Sequence, residues 1–148
     1  MDKKIIVKVA AGLGNQMFMY ANAFSLSKRF NYRLLIDDTS GFFQAKNRTY
    51  GREYGLKAFN LSVNLANNND KYDNYLSHNY KKLVKFFNNF QKKKSFLTDP
   101  KGIKKKTFYE KIDSPLSDKV YLEGYFESEK YFFDLKSELI EEFKIKDD

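Results

Sequence analysis

The feature that most constrains the fold is a strand, a glycine-containing turn, a helix and a second strand that follow one another at the start of the chain. The apolar run at Ile5–Ala10 predicts a buried strand, and the spacing of apolar residues predicts a helix from Gln16 to Phe30. Arg33–Asp37 predicts the second strand, with Leu34-Leu35-Ile36 as its buried centre. Two strands joined by a helix through short turns run parallel, with a right-handed crossover. The chain is therefore expected to form an α/β fold with a Rossmann-like parallel sheet and flanking helices.

The turn between the first strand and the first helix is a candidate anion site. Gly12 and Gly14 allow a tight turn and close approach of a ligand to the backbone, and Asn15 is expected to cap the helix. Backbone N–H groups at a helix start lack partners within the helix and lie at the positive end of its dipole, where an anion is favoured. The amides of Asn15 and Gln16 can also donate to phosphate or sugar oxygens. Because the third glycine of a dinucleotide fingerprint and the lysine of a Walker loop are missing, a plain structural turn is the alternative.

Two carboxylates end the second strand at the same edge of the expected sheet. Ligands of parallel sheets bind at the carboxyl ends of the strands, where the glycine turn also lies. Asp37 or its neighbour Asp38 can orient an acceptor hydroxyl or take its proton. Aspartate also caps turns, so a structural role is the alternative.

Three segments, in order along the chain, carry a family resemblance. The first is Gly12-Leu13-Gly14-Asn15-Gln16-Met17-Phe18, followed by Tyr20-Ala21 and Leu34-Leu35-Ile36-Asp37. The second is Tyr54–Leu61, and the third is Leu122–Phe132, with Glu127 where glutamine is usual in the family. Together they resemble the opening half of the alpha-1,2-fucosyltransferases, glycosyltransferase family 11.

The resemblance implies the first domain of a GT-B-type glycosyltransferase, which transfers L-fucose from GDP-fucose to the 2-hydroxyl of a galactoside with inversion and without a metal. It implies that Gly12, Gly14, Asn15, Gln16 and Asp37 contribute to substrate binding.

One departure leaves the catalytic residues unassigned. The family's His-x-Arg-Arg-x-Asp motif does not occur, and the single histidine, His78, is followed by Asn79. Residues 1–148 are therefore expected to be the N-terminal domain of a truncated transferase that lacks its nucleotide-binding domain and has little activity alone. The alternative is a non-catalytic α/β domain that binds a glycan or a nucleotide.

The net charge of +8 is concentrated in one segment. Lys81–Lys106 holds ten lysines and one acidic residue. A solvated surface is the first interpretation, contact with an anionic membrane the second and nucleic-acid binding the third. With no Cys and one His, thiolate and multi-histidine metal sites are excluded. The N-terminus lacks a signal peptide and no window reaches transmembrane length, so a cytoplasmic location is expected, with possible peripheral contact at the inner membrane face.

The remainder of the chain predicts a few further elements. Leu56–Ala66 is expected to hold a short strand or turn, and Tyr72–Lys93 a helix. Lys92–Lys106 is expected to be irregular, Phe108–Glu110 an edge strand and Val120–Glu123 an inner strand. Ser128 is expected to cap a final helix from Glu129 to Phe143.

The end of the inner strand places two carboxylates close together. Glu123 and Glu127 suggest acid/base chemistry. Solvent-facing glutamates near a helix start are the favoured alternative, because they complement the helix dipole.

Overall fold

The computed structural model describes residues 2–43, 51–99, 109 and 111–147. Its strands and α-helices, in chain order, are β1 (Lys4–Lys8), α1 (Leu13–Phe30), β2 (Arg33–Asp37), β3 (Asn64–Leu65), α2 (Tyr75–Asn88), β4 (Lys94–Thr98), β5 (Leu116–Glu123) and α3 (Lys136–Glu142). Short 3-10 turns stand at Leu56–Ala58, Asn68–Asp70, Glu129–Tyr131 and Phe133–Leu135.

The five strands form one parallel sheet in the order β3-β2-β1-β5-β4. This confirms the α/β fold with a Rossmann-like parallel sheet. From β1 the chain proceeds to β2 and β3 on one side. It then crosses to β4 at the opposite edge and returns to β5, which adjoins β1. The strand order therefore reverses between β1 and β5, and such a switch point is where parallel sheets bind their ligands.

The side chains of the central strands divide the core between the two faces of the sheet. Successive side chains of a strand point to opposite faces. Ile5, Val7 and Ile36 pack with α1 and α3 in the larger core, whereas Ile6 and Tyr121 belong to the smaller core beneath α2. The larger core contains Tyr20, which is fully buried and donates its hydroxyl hydrogen bond to Glu142 of α3.

The start of α1 differs from the sequence prediction. The helix begins at Leu13, and its cap is Gly12 in an extended conformation, so the prediction that Asn15 caps the helix is wrong. The cause is the bond from the Gln16 N–H to the Gly12 carbonyl at 3.1 Å, which closes the first helical turn ahead of Asn15. The other end is as expected, because the helix ends at Phe30, and Asn31 follows it in the left-handed conformation.

Two other expectations change for reasons of packing. The basic segment is not wholly irregular, because β4 pairs with β5 and buries Phe96. The final helix is shorter than expected: Ser128 accepts a hydrogen bond from Lys130 N at 3.4 Å, but it caps a 3-10 turn, and α-helix begins only at Lys136.

The helix expected over Tyr72–Lys93 is confirmed but shorter, as Tyr75–Asn88, and the expected inner strand Val120–Glu123 is confirmed within Leu116–Glu123. The remaining expectations concern the loops and one edge strand. The short strand or turn expected within Leu56–Ala66 is confirmed by a 3-10 turn and by β3. The expected edge strand Phe108–Glu110 lies outside the described residues apart from Tyr109, which is not in a strand.

Candidate functional site

The carboxyl edge of the sheet brings the glycine turn and the end of β2 together. Val9 N–H donates to the Asp37 carbonyl oxygen at 3.2 Å, which joins the ends of β1 and β2. Gly41 packs against the same point, where an added Cβ would lie 2.0 Å from the Val9 oxygen. The chain after β2 can therefore approach the end of β1 only because Gly41 has no side chain.

The glycine turn presents bare backbone. The left-handed residue of this turn is Ala11, with φ of 63°, so Gly12 does not supply the unusual backbone angle. A Cβ at Gly12 or Gly14 would meet no described atom within 4 Å. The turn itself does not require these glycines, and close approach of a ligand to the start of α1 stays a prediction for them and for the half-buried Asn15.

Gln16 is fully buried and holds two loops together. Its side-chain nitrogen donates to the carbonyl oxygens of Ala11 at 3.0 Å and Glu53 at 2.9 Å, and its side-chain oxygen accepts from Gly55 N at 2.9 Å. These three bonds tie residues 53–55 to the glycine turn. The geometry gives Gln16 a positioning role, and its direct contact with substrate stays a prediction.

Asp37 is also buried, with no exposed surface. Its carboxylate accepts hydrogen bonds from Thr39 N at 3.2 Å, from Ser40 N at 2.9 Å and from the Tyr121 hydroxyl at 2.6 Å. These contacts show the turn-capping role that the sequence left as an alternative. Burial, with the neighbouring Asp37 charge next, raises the pKa of Tyr121, so its hydroxyl stays a donor.

A cavity of about 540 Å³ opens after β2, beside the loop that Gln16 holds. Its walls combine three aromatic rings, three carboxylates and one guanidinium: Asp38, Thr39, Phe42, Phe43, Gly51, Arg52, Glu53, Tyr54 and Asp73. Flat rings offer apolar surface, and carboxylates accept hydrogen bonds from hydroxyl groups. This combination suits a sugar.

The polar side chains of the cavity differ in whether they already have a partner within the protein. Asp38 is paired with Lys71 at 2.6 Å. Burial, with Asp38 next, raises the pKa of Tyr54 to about 12, so that its hydroxyl is a donor at neutral pH. Arg52 is exposed and makes no ion pair with any residue in the described ranges, which leaves its guanidinium free for an anionic group.

A row of charges lies at the same edge on the face covered by α2. Lys8, Asp37 and Glu123 end neighbouring strands and point to this face. Glu123 contacts Lys8, Lys85 and Lys81, the last at 3.0 Å, with only 14% of the Glu123 side chain exposed. The expectation of a solvent-facing glutamate is therefore wrong for Glu123.

The three lysines determine the ionisation of Glu123. Burial raises its pKa, but the lysines, with Lys8 first, outweigh burial and lower the pKa to about 2. Burial in turn lowers the pKa of Lys81, against the attraction of Glu123. A carboxylate this strongly held in its ionised form is a poor proton shuttle near pH 7, so the arrangement does not support acid/base chemistry at Glu123.

The sequence singled out Asp38, Glu123 and the segment that begins at Tyr54, but not the other cavity walls or the lysines around Glu123. Phe42 and Arg52 carried no periodic signal because they lie in a loop. Lys8 did carry a periodic signal. It lies two residues after Ile6 in β1, so the alternation of strand side chains places both on the face that α2 covers. In the described residues, no cluster of three or more His, Asp or Glu side chains has an arrangement that could hold a metal ion.

Comparisons with known proteins give one partial match. The chain is 42% identical over 53 residues to the O-antigen biosynthesis glycosyltransferase WbnK of Escherichia coli. The match covers 36% of this chain and 18% of that protein, so it spans less than a fifth of its relative. No protein-family model and no solved structure matches. The similarity supports a glycosyltransferase and does not specify the sugar.

Proposed function

We propose that the chain forms the acceptor-side α/β domain of a GT-B-type alpha-1,2-fucosyltransferase. The observation that carries the proposal is the aromatic and acidic cavity at the carboxyl edge, joined to the start of α1 through Gln16. The partial match to a glycosyltransferase and the resemblance of the glycine turn support the same reaction class.

In the proposed reaction the galactoside 2-hydroxyl attacks the anomeric carbon of fucose in GDP-fucose from the face opposite the diphosphate. The new C–O bond forms as the bond to the diphosphate breaks, GDP leaves with the electron pair, and configuration inverts. Asp38, which lines the cavity, is proposed to accept the hydroxyl proton. The start of α1 and Arg52 stabilise negative charge on the diphosphate.

The other expected properties belong to the same proposal. The reaction is proposed to need no metal, which activity retained in the presence of a chelator tests. We further propose a cytoplasmic location with peripheral contact at the inner membrane face. In the described part of the chain, no helix has the length and apolar character needed to span a bilayer.

Binding is tested by titration calorimetry of the chain with GDP-fucose, GDP and lactose. Arg52→Gln is expected to weaken GDP-fucose binding by at least about tenfold, because a hydrogen bond to a charged group contributes about 1.5–3 kcal/mol. The matched control, Arg29→Gln, removes an exposed arginine from the far end of α1 and leaves affinity unchanged. Tyr54→Phe is expected to weaken lactose binding, with the exposed Tyr75→Phe as its control. No measurable heat with any of the three ligands refutes the proposal.

A second candidate is a domain that binds a glycan or a nucleotide without catalysis, because the Asp37 carboxylate caps a turn and Glu123 is a poor proton shuttle. Transfer of labelled fucose to lactose, measured with the chain in excess over GDP-fucose, separates the two. Slow transfer that Asp38→Asn abolishes supports the transferase. Binding with no transfer above the rate without protein favours the binding domain.

A further inference from the structure

Helix α2 is attached to the sheet by its polar side. Among its residues only Lys81 is buried, and it contacts Glu123 of β5. At the other end, the Asn88 side chain donates to Phe96 O at 2.8 Å and accepts from Ser95 N at 2.9 Å and Phe96 N at 3.0 Å. A surface helix of a globular protein normally turns its apolar stripe to the core. Here charge and amide contacts, together with Val84 packed on the smaller core, hold the inner side.

The apolar stripe of α2 faces outward as a result. Its residues are spaced four, three, four and three apart, which places them on one side of a helix and of the turn that follows it. All are exposed, from 55% at Leu83 to 81% at Leu76. The five are Leu76, Tyr80, Leu83, Phe87 and Phe90. We call these residues the α2 stripe.

The charge around the α2 stripe has one sign. Tyr75–Lys94 contains six lysines and no acidic residue. Three of them, Lys82, Lys92 and Lys93, are exposed and form no ion pair with any residue of the described ranges. Lysines at the border of an apolar surface can lay their aliphatic stems along it and keep their ammonium groups in water.

This combination distinguishes between possible partners. Exposed apolar patches mark interaction sites, but lysine is depleted at interfaces between proteins. Proteins that bind single-stranded nucleic acids stack the bases on aromatic side chains along a basic groove. The α2 stripe lies on a convex helix surface, and Leu76 and Leu83 interrupt its aromatic rings. An apolar stripe with a basic border is the arrangement by which helices lie in the surface of an anionic membrane.

We propose that α2 docks on an anionic lipid surface, with the α2 stripe inserted among the acyl chains and Lys82, Lys92 and Lys93 next to the headgroups. The contacts of Lys81 and Asn88 present the stripe before lipid is met, so docking needs no refolding of the helix. The inference deepens the proposed peripheral membrane contact by naming the helix and the lipid charge. It does not depend on the transferase reaction, and its test uses neither donor nor acceptor.

Co-sedimentation with lipid vesicles tests the proposal. The chain is expected to bind vesicles that contain phosphatidylglycerol at least tenfold more tightly than vesicles of phosphatidylcholine alone. Changing Lys82, Lys92 and Lys93 together to Gln should remove this difference, because each lysine near an anionic surface strengthens binding by about fivefold. The matched control changes the exposed Lys57, Lys130 and Lys136 to Gln on other surfaces and should bind like the unaltered chain.

The apolar contribution is tested separately. Phe87→Glu is expected to lower the partition coefficient by at least tenfold, because insertion of a phenylalanine side chain contributes about 1.5–3 kcal/mol. Phe133→Glu is the control, because Phe133 is 64% exposed and lies in a 3-10 turn before α3. Both replaced rings are exposed, so thermal unfolding should change little in either variant.

A fluorescence readout locates the contact. The chain has no tryptophan, so Phe87→Trp introduces a single probe on the α2 stripe. Its emission should shift to shorter wavelength on addition of anionic vesicles, whereas that of Phe133→Trp should not. Equal binding to both vesicle types, unchanged binding of Phe87→Glu, or tighter binding to single-stranded DNA than to vesicles would overturn the proposal. So would a dimer that forms without lipid and that Phe87→Glu dissociates.

Discussion

The largely enclosed carboxylate of Glu123 provides the sharpest test of the energetics. Glu123→Gln keeps the size of the side chain and removes the negative charge that Lys8, Lys81 and Lys85 share. The pKa of Glu123 is lowered from 4.5 to about 2 on folding. Each unit of pKa corresponds to about 1.4 kcal/mol, so the charge contributes about 3 kcal/mol at pH 7. Loss of one partner of a buried ion pair costs about 3–5 kcal/mol, which agrees.

The sign of the pH dependence follows from the direction of the shift. Because the folded-state pKa is the lower one, the unfolded chain binds the proton more tightly. The stabilisation is complete well above pH 4.5 and is lost as the pH falls towards 2. The difference between the unaltered chain and Glu123→Gln should therefore shrink to about 1 kcal/mol near pH 3.

Urea unfolding followed by circular dichroism at a series of pH values measures this difference. At pH 7 the midpoint of thermal unfolding should fall by about 6–12 °C. Glu141→Gln is the matched control, because Glu141 pairs with Lys144 on the surface, and its loss should cost under about 1 kcal/mol. A double variant with Lys81→Met should recover part of the loss, because it removes the unpaired ammonium. A Glu123→Gln loss below about 0.5 kcal/mol at pH 7, or one that does not change with pH, would refute the reasoning.

Three further substitutions test other buried polar groups. Gln16→Leu should destabilise by about 1–3 kcal/mol and speed amide exchange at Gly55, because it removes the three hydrogen bonds of a buried side chain; unchanged exchange at Gly55 would contradict its positioning role. Tyr121→Phe should cost about 1.5–3 kcal/mol in urea unfolding, because it removes a donor to the buried Asp37 carboxylate. Asn22→Leu should instead stabilise the chain by about 1–3 kcal/mol, because Asn22 is buried and its amide has no partner among the described residues; a lower midpoint would show that the amide is satisfied in solution.

The first βαβ unit was predictable because its information is local. The β-branched run of β1, the apolar period of α1 and the buried centre of β2 each specify their own element within a few residues. Asn31 as a left-handed cap also follows from its residue type. Because these strands are parallel, the sequence also predicted that the polar groups after β1 and β2 lie at the same edge of the sheet.

The boundaries and β4 depended on partners distant in sequence. The final helix is divided into turns and α3, although its apolar period is continuous. Lys94–Thr98 reads as a basic loop until β5 supplies its hydrogen bonds. The β-structure of such a segment reflects burial and pairing more than the preference of its own residues.

The sequence by itself determined the α/β class, the parallel βαβ unit and the basic character of the segment around α2. Only the tertiary structure decided that Gln16 and Asp37 turn inward, that Glu123 is half-buried among three lysines, and that the α2 stripe faces outward. Periodicity places residues on one side of a helix but does not say which side meets the sheet. For α2 that choice rests on Lys81 and Asn88, whose partners lie on strands that follow the helix in the chain.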